Sequence, residues 1–224
     1  MPHDLPPKGA TYYYFAKWRD DGTDKTIHDL LRWHLREKKG RLADPSLVVL
    51  DTQSVHVAAG VAATTTGWDV AKKVPGRKRG LAVDVLGLVI AVIAVIAVIA
   101  VVVLAASAHE NTAGIALLDQ AAVVTEGSVT KALVDQGFKN TVVAHGASLG
   151  IAVDIVERDP ADKGFVPQPK RWVVEQTYGI LMFHRRLIRD YEHRPASSES
   201  RVYRAMTDAM SRRLTSATPS WRWT

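Results

Sequence analysis

The sequence predicts a mixed α/β fold, with the strands in one sheet and helices flanking it. The first observation is the order of patterns along residues 46–214, where short apolar runs alternate with longer stretches of helical periodicity. That order is strand, strand, strand, helix, strand, helix, strand, helix, helix, which indicates a hairpin followed by crossover connections. The second is size: 224 residues, 47% hydrophobic and 23% charged, suit one sizeable domain plus a small helical piece.

Residues 1–45 predict a separate helical segment ahead of the main domain. An aromatic run predicts a first short helix whose rings pack in a core. After a break at Gly22, a second helix is predicted to start at an N-cap, either Thr23 or Asp24, and to end near Gly40. Both helices are too small to hold a core alone, so we expect them to pack on the following domain. The aromatic run is Tyr12, Tyr13, Tyr14, Phe15 and Trp18, and the apolar stripe of the second helix is Ile27, Leu30, Leu31 and Leu35.

A short apolar run and a basic cluster open the main domain. Residues 47–51, LVVLD, predict a buried strand with Asp51 at its end. The basic cluster surrounds Pro75 and Gly76, and we expect a loop or the approach to a hairpin there. Either a solvated loop or a phosphate-contacting patch is compatible with this composition. Its members are Lys72, Lys73, Arg77, Lys78 and Arg79.

Residues 85–108 carry no charge and contain the triplet Ala-Val-Ile three times in a row, from Ala91 to Ile99. This length meets the criterion for a membrane helix. The dominance of Val and Ile favours a buried strand instead, and the preceding GRKRGLAVDVLGL reads as a strand with a turn at Leu86 and Gly87. We prefer the strand, with a membrane helix or an irregular insertion as alternatives. The repeat would lengthen a strand by about 30 Å at roughly 3.3 Å per residue, leaving an exposed apolar edge.

The remaining elements follow in alternation. Residues 111–124 predict a helix, 129–134 a strand that ends at Asp135 before a glycine turn, and 151–156 another strand. After a loop with Pro and Gly at 159–169, residues 171–191 predict one long helix and 198–214 another, followed by a tail at 215–224.

The predicted helix 171–191 has a charged face. At about 100° per residue, Arg171, Glu175, Met182, Arg186 and Arg189 gather on one side, and Glu175 can touch Arg171 one turn before it. The opposite side, predicted to pack on the sheet, carries Val173, Thr177, Ile180, His184, Leu187, Ile188 and Tyr191. An ordinary surface ion pair would also explain the Arg and Glu.

Charge and cysteine content limit the function classes. The formal net charge is +6, which favours association with nucleic acid or an anionic membrane surface. The chain has no cysteine, so disulfides, zinc–thiolate sites and a Cys nucleophile are excluded. The N-terminal residues show no basic region followed by an apolar core, and we read no secretory signal.

Several motifs resemble the DDE transposases of bacterial insertion sequences. They are LDTQSV, GRKRGLAVDVLGL, VDQGF and the long segment KGFVPQPKRWVVEQTYGILMFHRRLIRDYEHRPASSES. The likeness covers nearly the whole chain and is greatest to the insertion-sequence-five group, within an insertion-sequence-four-like catalytic domain. The resemblance implies a ribonuclease-H-like fold, with a mixed sheet, flanking helices and three acids at its active edge. It also implies that the chain is truncated at its N-terminus, because family members carry a larger helical region there.

By resemblance, the three catalytic acids are Asp51 in LDTQS, Asp135 in VDQGF and Glu175 in RWVVEQT. Arg171 matches the arginine of the family signature, whereas Gln168 and Met182 replace its tyrosine and its later basic residue. Carboxylates brought together repel one another and need cations. The family therefore implies two Mg²⁺ or Mn²⁺ ions, about 3.5–4 Å apart, held by these acids. Phosphate contacts are expected from Arg171, Arg185, Arg186 and the cluster Lys72, Lys73, Arg77, Lys78 and Arg79.

Other residues compete for these roles. Asp154, Asp159 and Asp162 also precede Glu175, but Asp135 ends an apolar strand directly. Asp84 is expected to be structural or to face solvent. His109 and Glu110, at a helix start, are expected to cap or face solvent and not to bind metal.

The implied function is a DNA transposase that cleaves and joins strands, in the bacterial cytoplasm at the nucleoid. Its partner is double-stranded DNA, at the element ends and the target, and it acts as a homodimer on paired ends. The expanded repeat and the short N-terminal region raise an alternative, a catalytically decayed copy that binds DNA without cleaving it. A membrane-associated protein, through residues 85–108, is a third hypothesis.

Overall fold

The computed structural model describes residues 4–70, 72–95, 110–156 and 171–216. These residues form seven α-helices and a six-stranded sheet. The helices are α1 (Lys8–Asp20), α2 (Thr23–Lys38), α3 (Glu110–Val124), α4 (Asn140–Ser148), α5 (Trp172–Met182), α6 (Arg185–Ile188) and α7 (Pro195–Thr215). The strands are β1 (Leu47–His56), β2 (Gly67–Asp69), β3 (Val74–Val83), β4 (Val89–Val95), β5 (Lys131–Val134) and β6 (Ala152–Ile155).

The sheet is mixed, with β1 near its centre. Strand β1 pairs antiparallel with β3 on one side and parallel with β5 on the other, and β5 pairs parallel with β6. The second edge of β3 pairs antiparallel with β4 and, further along, with β2. Strands β1, β4, β5 and β6 therefore all run in one direction. The predicted mixed α/β fold, with a front hairpin and later crossovers, is confirmed and is consistent with a ribonuclease-H-like architecture.

Helices cover both faces of this sheet. Along β1, Val49 points into one core, and Val48 and Leu50 point into the other, because successive strand residues face opposite sides. The first core is completed by α5 and α7, and the second by α3 and α4. Both cores are anchored by side chains with almost no exposure, such as Leu181 and Leu117. The carboxyl ends of the parallel strands are thereby fixed at one edge of the sheet.

The two predicted N-terminal helices are confirmed, but the predicted packing of their side chains is largely wrong. In α1, Phe15 is buried, whereas Tyr12, Tyr13 and Tyr14 are more than half exposed. Phe15 packs under the guanidinium groups of Arg201 and Arg204, at 4.2 and 4.7 Å from its ring centre. The aromatic run therefore contributes one ring to the interior, and the tyrosines face outward.

Helix α2 buries charged residues instead of the full predicted apolar stripe. Leu35 is buried, but Leu30 is exposed, and Gly22 occupies the N-cap position, where neither Thr23 nor Asp24 serves as the cap. The buried polar side chains are Asp24, His28, Asp29, Arg32 and Arg36. Asp24 accepts hydrogen bonds from Ser200 and Arg204 of α7, and Arg36 pairs with Asp84, whereas Asp29 pairs with Lys25 of the same helix. The helices thus pack on the main domain through polar contacts.

The first part of the uncharged segment is a strand. Residues Val89–Val95 form β4, and a turn at Asp84 and Gly87 joins it to β3 as predicted. Asp84 is fully buried and accepts the backbone N–H groups of Leu86 and Leu88, so its structural role is confirmed and its exposure to solvent is excluded. The rest of the repeat, 96–108, lies outside the described residues. No helix within the described ranges is long and apolar enough to cross a membrane.

The prediction of a single helix over 171–191 is wrong, because the helix is interrupted at Phe183 and His184. His184 adopts an extended backbone conformation between α5 and the short α6. Beyond α6, Asp190 forms an isolated parallel bridge with Val57, so this segment turns toward β1. The buried face of α5 is Val173, Val174, Thr177, Tyr178 and Leu181, whereas Ile188 and Tyr191 are exposed.

Candidate active site at the carboxyl edge of the sheet

Asp51 and Asp135 occupy matching positions on neighbouring strands. The parallel pairing of β1 and β5 matches Val49 with Leu133. Asp51 and Asp135 each lie two residues further along, so both carboxylates project from the same edge of the sheet. This is the edge at which sheets with parallel strands place their ligands. The apolar runs before each acid explain the arrangement, because they fix both strands in the core up to that point.

Arg171 bridges the two acids. Its Nη2 atom lies 3.7 Å from Oδ2 of Asp51 and 3.7 Å from Oδ2 of Asp135. Burial raises the pKa of the Asp51 carboxyl to about 6, against lowering effects from Arg171 and the backbone N–H of Thr52 and a further increase from Asp135. The positive charge of Arg171 therefore offsets only part of the negative charge of the half-buried pair Asp51 and Asp135. The expected ion pair between Arg171 and Glu175 is wrong, because Arg171 turns to the aspartates.

Glu175 stands on the helix that covers Asp51. The hydroxyl of Tyr178 lies 2.9 Å from the carbonyl oxygen of Asp51 and 3.0 Å from that of Arg79, so it can donate a hydrogen bond to either. At about 100° per residue, Glu175 falls within roughly 60° of both Arg171 and Tyr178 around the helix. Two residues that contact Asp51 thus flank Glu175 on one helical face. Glu175 itself is exposed to solvent.

The three predicted acids do not form a metal cluster in this conformation. Among the described residues, no group of three Asp, Glu or His side chains is arranged to hold a metal ion. Asp51 and Asp135 are brought together through Arg171, and Glu175 lies on the face of α5 that approaches them. The convergence of all three carboxylates stays a prediction.

Glu110 is a site residue that the sequence reasoning assigned to capping or to the surface. It opens α3, directly after the segment that follows β4, and its Oε1 lies 3.4 Å from the Thr52 hydroxyl. A Cβ added to Gly137 would overlap its carboxylate and would lie 3.0 Å from Oδ1 of Asp135. The topology is the signal that could have found it, because β4 runs parallel to β1 and the helix after it starts at the same edge. His109 lies outside the described residues.

The basic cluster is divided between a turn and a buried strand. Lys72 and Lys73 lie in the turn between the antiparallel strands β2 and β3, so the predicted approach to a hairpin is confirmed, whereas Arg77, Lys78 and Arg79 lie on β3 and not in a solvated loop. Arg77 donates hydrogen bonds to Asp190 and to the carbonyl oxygens of Glu192 and His193, and Arg79 donates one to Leu187. Each is about 3% exposed, so neither guanidinium can reach a DNA phosphate. The predicted phosphate contacts of Arg77 and Arg79 are therefore wrong.

The other predicted DNA-binding residues retain access to solvent or to the site. Lys72 is partly exposed and donates to the carbonyl oxygen of Thr52 at 3.1 Å, and Lys73 beside it is exposed. Lys78 is buried between Asp69 and Glu110. Arg185 and Arg186 are exposed on α6, where Arg186 pairs with Glu192.

The competing acids and histidines lie elsewhere. Asp154 pairs with Lys131 at 2.6 Å on the surface of β5 and β6. His145 pairs with Asp119 at 2.7 Å, and His56 is exposed at the far end of β1. Asp159 and Asp162 fall outside the described residues.

The fold and the site together define a mixed α/β domain with two acids, bridged by an arginine, at one edge of its sheet. Comparison with protein families gives the particular family: the model described as "Transposase DDE domain" matches residues 42–207. The chain therefore belongs to the DDE transposase family, whose members are DNA-acting enzymes. No curated protein and no solved structure matched the chain.

Proposed function

We propose that the chain is a transposase that cuts DNA strands at the ends of an insertion sequence and joins the freed 3′-hydroxyl groups to target DNA. The observation that carries this proposal is the pair Asp51, within β1, and Asp135, directly after the adjacent parallel strand β5, which share one cation, Arg171, at 3.7 Å from each. The proposed catalytic acids are these two and Glu175. Both reactions are in-line displacements at phosphorus, without a covalent enzyme intermediate.

The residues present fit divalent metal ions. Burial raises the pKa of Asp51 to about 6 even with Arg171 beside it, so a further positive charge would favour its ionised form. Carboxylate oxygens are the ligands that Mg²⁺ and Mn²⁺ prefer, and Asp51, Asp135 and Glu175 would hold two such ions. When bound, these ions would activate the attacking water or 3′-hydroxyl and stabilise the leaving oxygen.

The protein's own residues would position the DNA backbone. Arg171 already lies between the two acids, so it can exchange a carboxylate for a substrate phosphate without travelling far. Lys72 and Lys73 lie on the β3 side of the site, and Arg185 and Arg186 on α6. Contacts of this kind fix the register of a duplex but do not read its sequence.

We infer the finer classification from the motifs. The segment around Arg171 and Glu175 supports placement in the insertion-sequence-five group, with a catalytic unit at 46–214, a helical segment at 1–45 and a tail at 215–224. We further infer a homodimer acting on paired element ends at the bacterial nucleoid, because joining two ends requires two active sites.

Nicking of supercoiled plasmid in the presence of Mn²⁺ tests the proposal. The wild-type chain is expected to convert supercoiled to open-circular DNA, and Asp51→Asn, Asp135→Asn and Glu175→Gln are each expected to abolish the conversion. Glu37→Gln is the matched control, since this exposed carboxylate of α2 lies outside the site. Nicking by Glu175→Gln at the wild-type rate would remove Glu175 from the assignment. A wild-type chain that binds DNA in a salt-dependent manner but never nicks it would identify the decayed copy instead.

A further inference from the structure

Glu110 touches both acid-bearing segments of the site at once. Its Oε1 accepts a hydrogen bond from the Thr52 hydroxyl at 3.4 Å, and Thr52 follows Asp51 directly. Its Oε2 occupies the place that a Cβ at position 137 would take, so a side chain there would displace the carboxylate. Gly137 lies two residues after Asp135 and donates its N–H to Oδ1 of that acid at 2.9 Å. Glu110 therefore connects β1 at Thr52 with the turn after β5, separately from Arg171.

Two lysines balance the charge of Glu110. Oε1 lies 3.8 Å from Nζ of Lys72 and 3.9 Å from Nζ of Lys78. Lys78 is buried and also faces Asp69, whereas Lys72 reaches the carbonyl oxygen of Thr52. The carboxylate of Glu110 therefore keeps the ammonium groups of the two lysines near Asp51. It also contacts both of the segments that carry the aspartates.

An ordinary helix-start carboxylate would behave differently. Acids in the first turn of a helix are favoured by its dipole, typically by about 0.3–1 kcal/mol, and need no other partner. The Glu110 side chain is 24% exposed and is directed to Thr52 and Gly137 instead of solvent. The absence of a side chain at position 137 is what makes room for it.

We propose that Glu110 is a positioning residue for the Asp51–Asp135 pair. By holding the turn at Gly137 against β1 at Thr52, it sets the separation of the two carboxylates and hence the affinity of the site for a divalent cation. This inference rests on the proposed function, because it assigns that cation to the same acid pair.

Mn²⁺ binding to the full chain, followed by the electron paramagnetic resonance signal of the free ion, provides the test. Glu110→Ala is expected to weaken binding by about tenfold or more, the range found when groups that orient metal ligands are removed. Glu110→Gln keeps the shape and is expected to retain affinity within about threefold of wild type. Asp119→Asn, an exposed acid on the same helix, is the matched control and is expected to leave binding unchanged.

Glu110→Gln separates positioning from direct ligation. If the Gln variant loses as much affinity as the Ala variant, the negative charge itself acts on the ion and the positioning role is overturned. Wild-type affinity in Glu110→Ala would overturn it as well, while leaving the proposed function standing.

A metal-free measurement keeps the two proposals distinguishable. Gly137→Ala should destabilise the chain toward urea, because the new methyl group displaces the Glu110 carboxylate. In a Glu110→Ala background the space is vacant, so the same change should cost much less. If the stability losses of Gly137→Ala and Glu110→Ala are strictly additive, the contact between Glu110 and Gly137, on which the inference depends, is contradicted. Failure of the wild-type chain to bind Mn²⁺ would overturn the proposed metal chemistry, and the additivity result would then decide the positioning role alone.

Discussion

Removal of Arg171 should change the protonation of the acid pair. Its guanidinium lies 3.7 Å from an oxygen of each aspartate, and its side chain is 11% exposed, so solvent screens this interaction weakly. The pKa of Asp51 is already about 6 with the arginine in place. In Arg171→Ala two carboxylates would share a half-buried site without a positive neighbour from α5.

The magnitude follows from the charge removed. A nearby opposite charge commonly lowers a carboxyl pKa by about 1–3 units, so its loss should raise the pKa of Asp51 by a similar amount and carry it past neutrality. Asp51 would then take up a proton at pH 7. That uptake limits the electrostatic cost to about 1–2 kcal/mol at pH 7, because each pKa unit corresponds to about 1.4 kcal/mol.

Carbon-detected NMR titration of the aspartate carboxyl groups measures the change directly. The Asp51 midpoint is expected to move from about 6 in wild type to above 7 in the variant. Urea unfolding should show a loss of stability that is larger at pH 8 than at pH 5, where Asp51 is protonated in both proteins. Arg185→Ala removes an exposed guanidinium from α6 and serves as the control. An unmoved Asp51 midpoint in Arg171→Ala would refute the reasoning.

Three further predictions concern the free energy of unfolding, measured in urea. Because the folded pKa of Asp51 is about 6 and its ordinary value is 3.8, stability from this group should fall by about 2 kcal/mol as pH rises from 4 to 6, and Asp51→Asn should abolish that slope. Arg36→Ala leaves the fully buried Asp84 without its ion-pair partner and should cost about 3–5 kcal/mol, whereas a cost below 1 kcal/mol would contradict that pairing. Gly76→Ala forces a methyl group into the carbonyl of Val55 on the paired strand and should cost about 1–3 kcal/mol, so unchanged stability would argue against this register.

The buried parts of β1 and β5 were predictable from the sequence because their signal is local. The apolar run before Asp135 ends where β5 ends, but the prediction that Asp51 ends its strand is wrong: β1 continues to His56, because β3 pairs with it as far as Gly76. The turn after Asp84 was equally visible. These features depend on neighbours within a few residues, and they define the edge at which the candidate site lies.

The basic cluster was not predictable in the same way, because its partners are remote. Arg77 looks like part of a solvated loop until Asp190, more than a hundred residues later, supplies its counter-ion. Arg79 is similar, since it is held by the carbonyl oxygen of Leu187. A charge on a strand can be buried only where the fold brings such a partner, and single-sequence periodicity carries no record of that.

The buried face of α2 and the length of the helix over 171–191 were predicted wrongly for a related reason. Helical spacing predicted an apolar buried face on α2, yet its charged residues are buried because α7 and the turn after β3 supply their partners. Periodicity also continued across Phe183 and His184, where the chain in fact leaves the helix to let Asp190 bridge to Val57. Hydrophobic pattern decides which side of an element can be buried, but tertiary partners decide which side is buried.

Topology provides the argument that links the acids to one another. Because β3 runs antiparallel to both β1 and β4, strands β1, β4 and β5 run in one direction. An acid accompanies each of them: Asp51 lies within β1, Asp135 directly follows β5, and Glu110 begins the helix that comes after β4. Burial raises the pKa of Asp51 and Asp135 raises it further, whereas Arg171 and Lys72 lower it without cancelling the increase. The cations of the site therefore offset the charge of its acids only in part before any substrate arrives. Binding of a phosphate chain to those cations would then remove positive charge from the acids and increase their demand for a divalent ion, so DNA and metal should each strengthen the binding of the other.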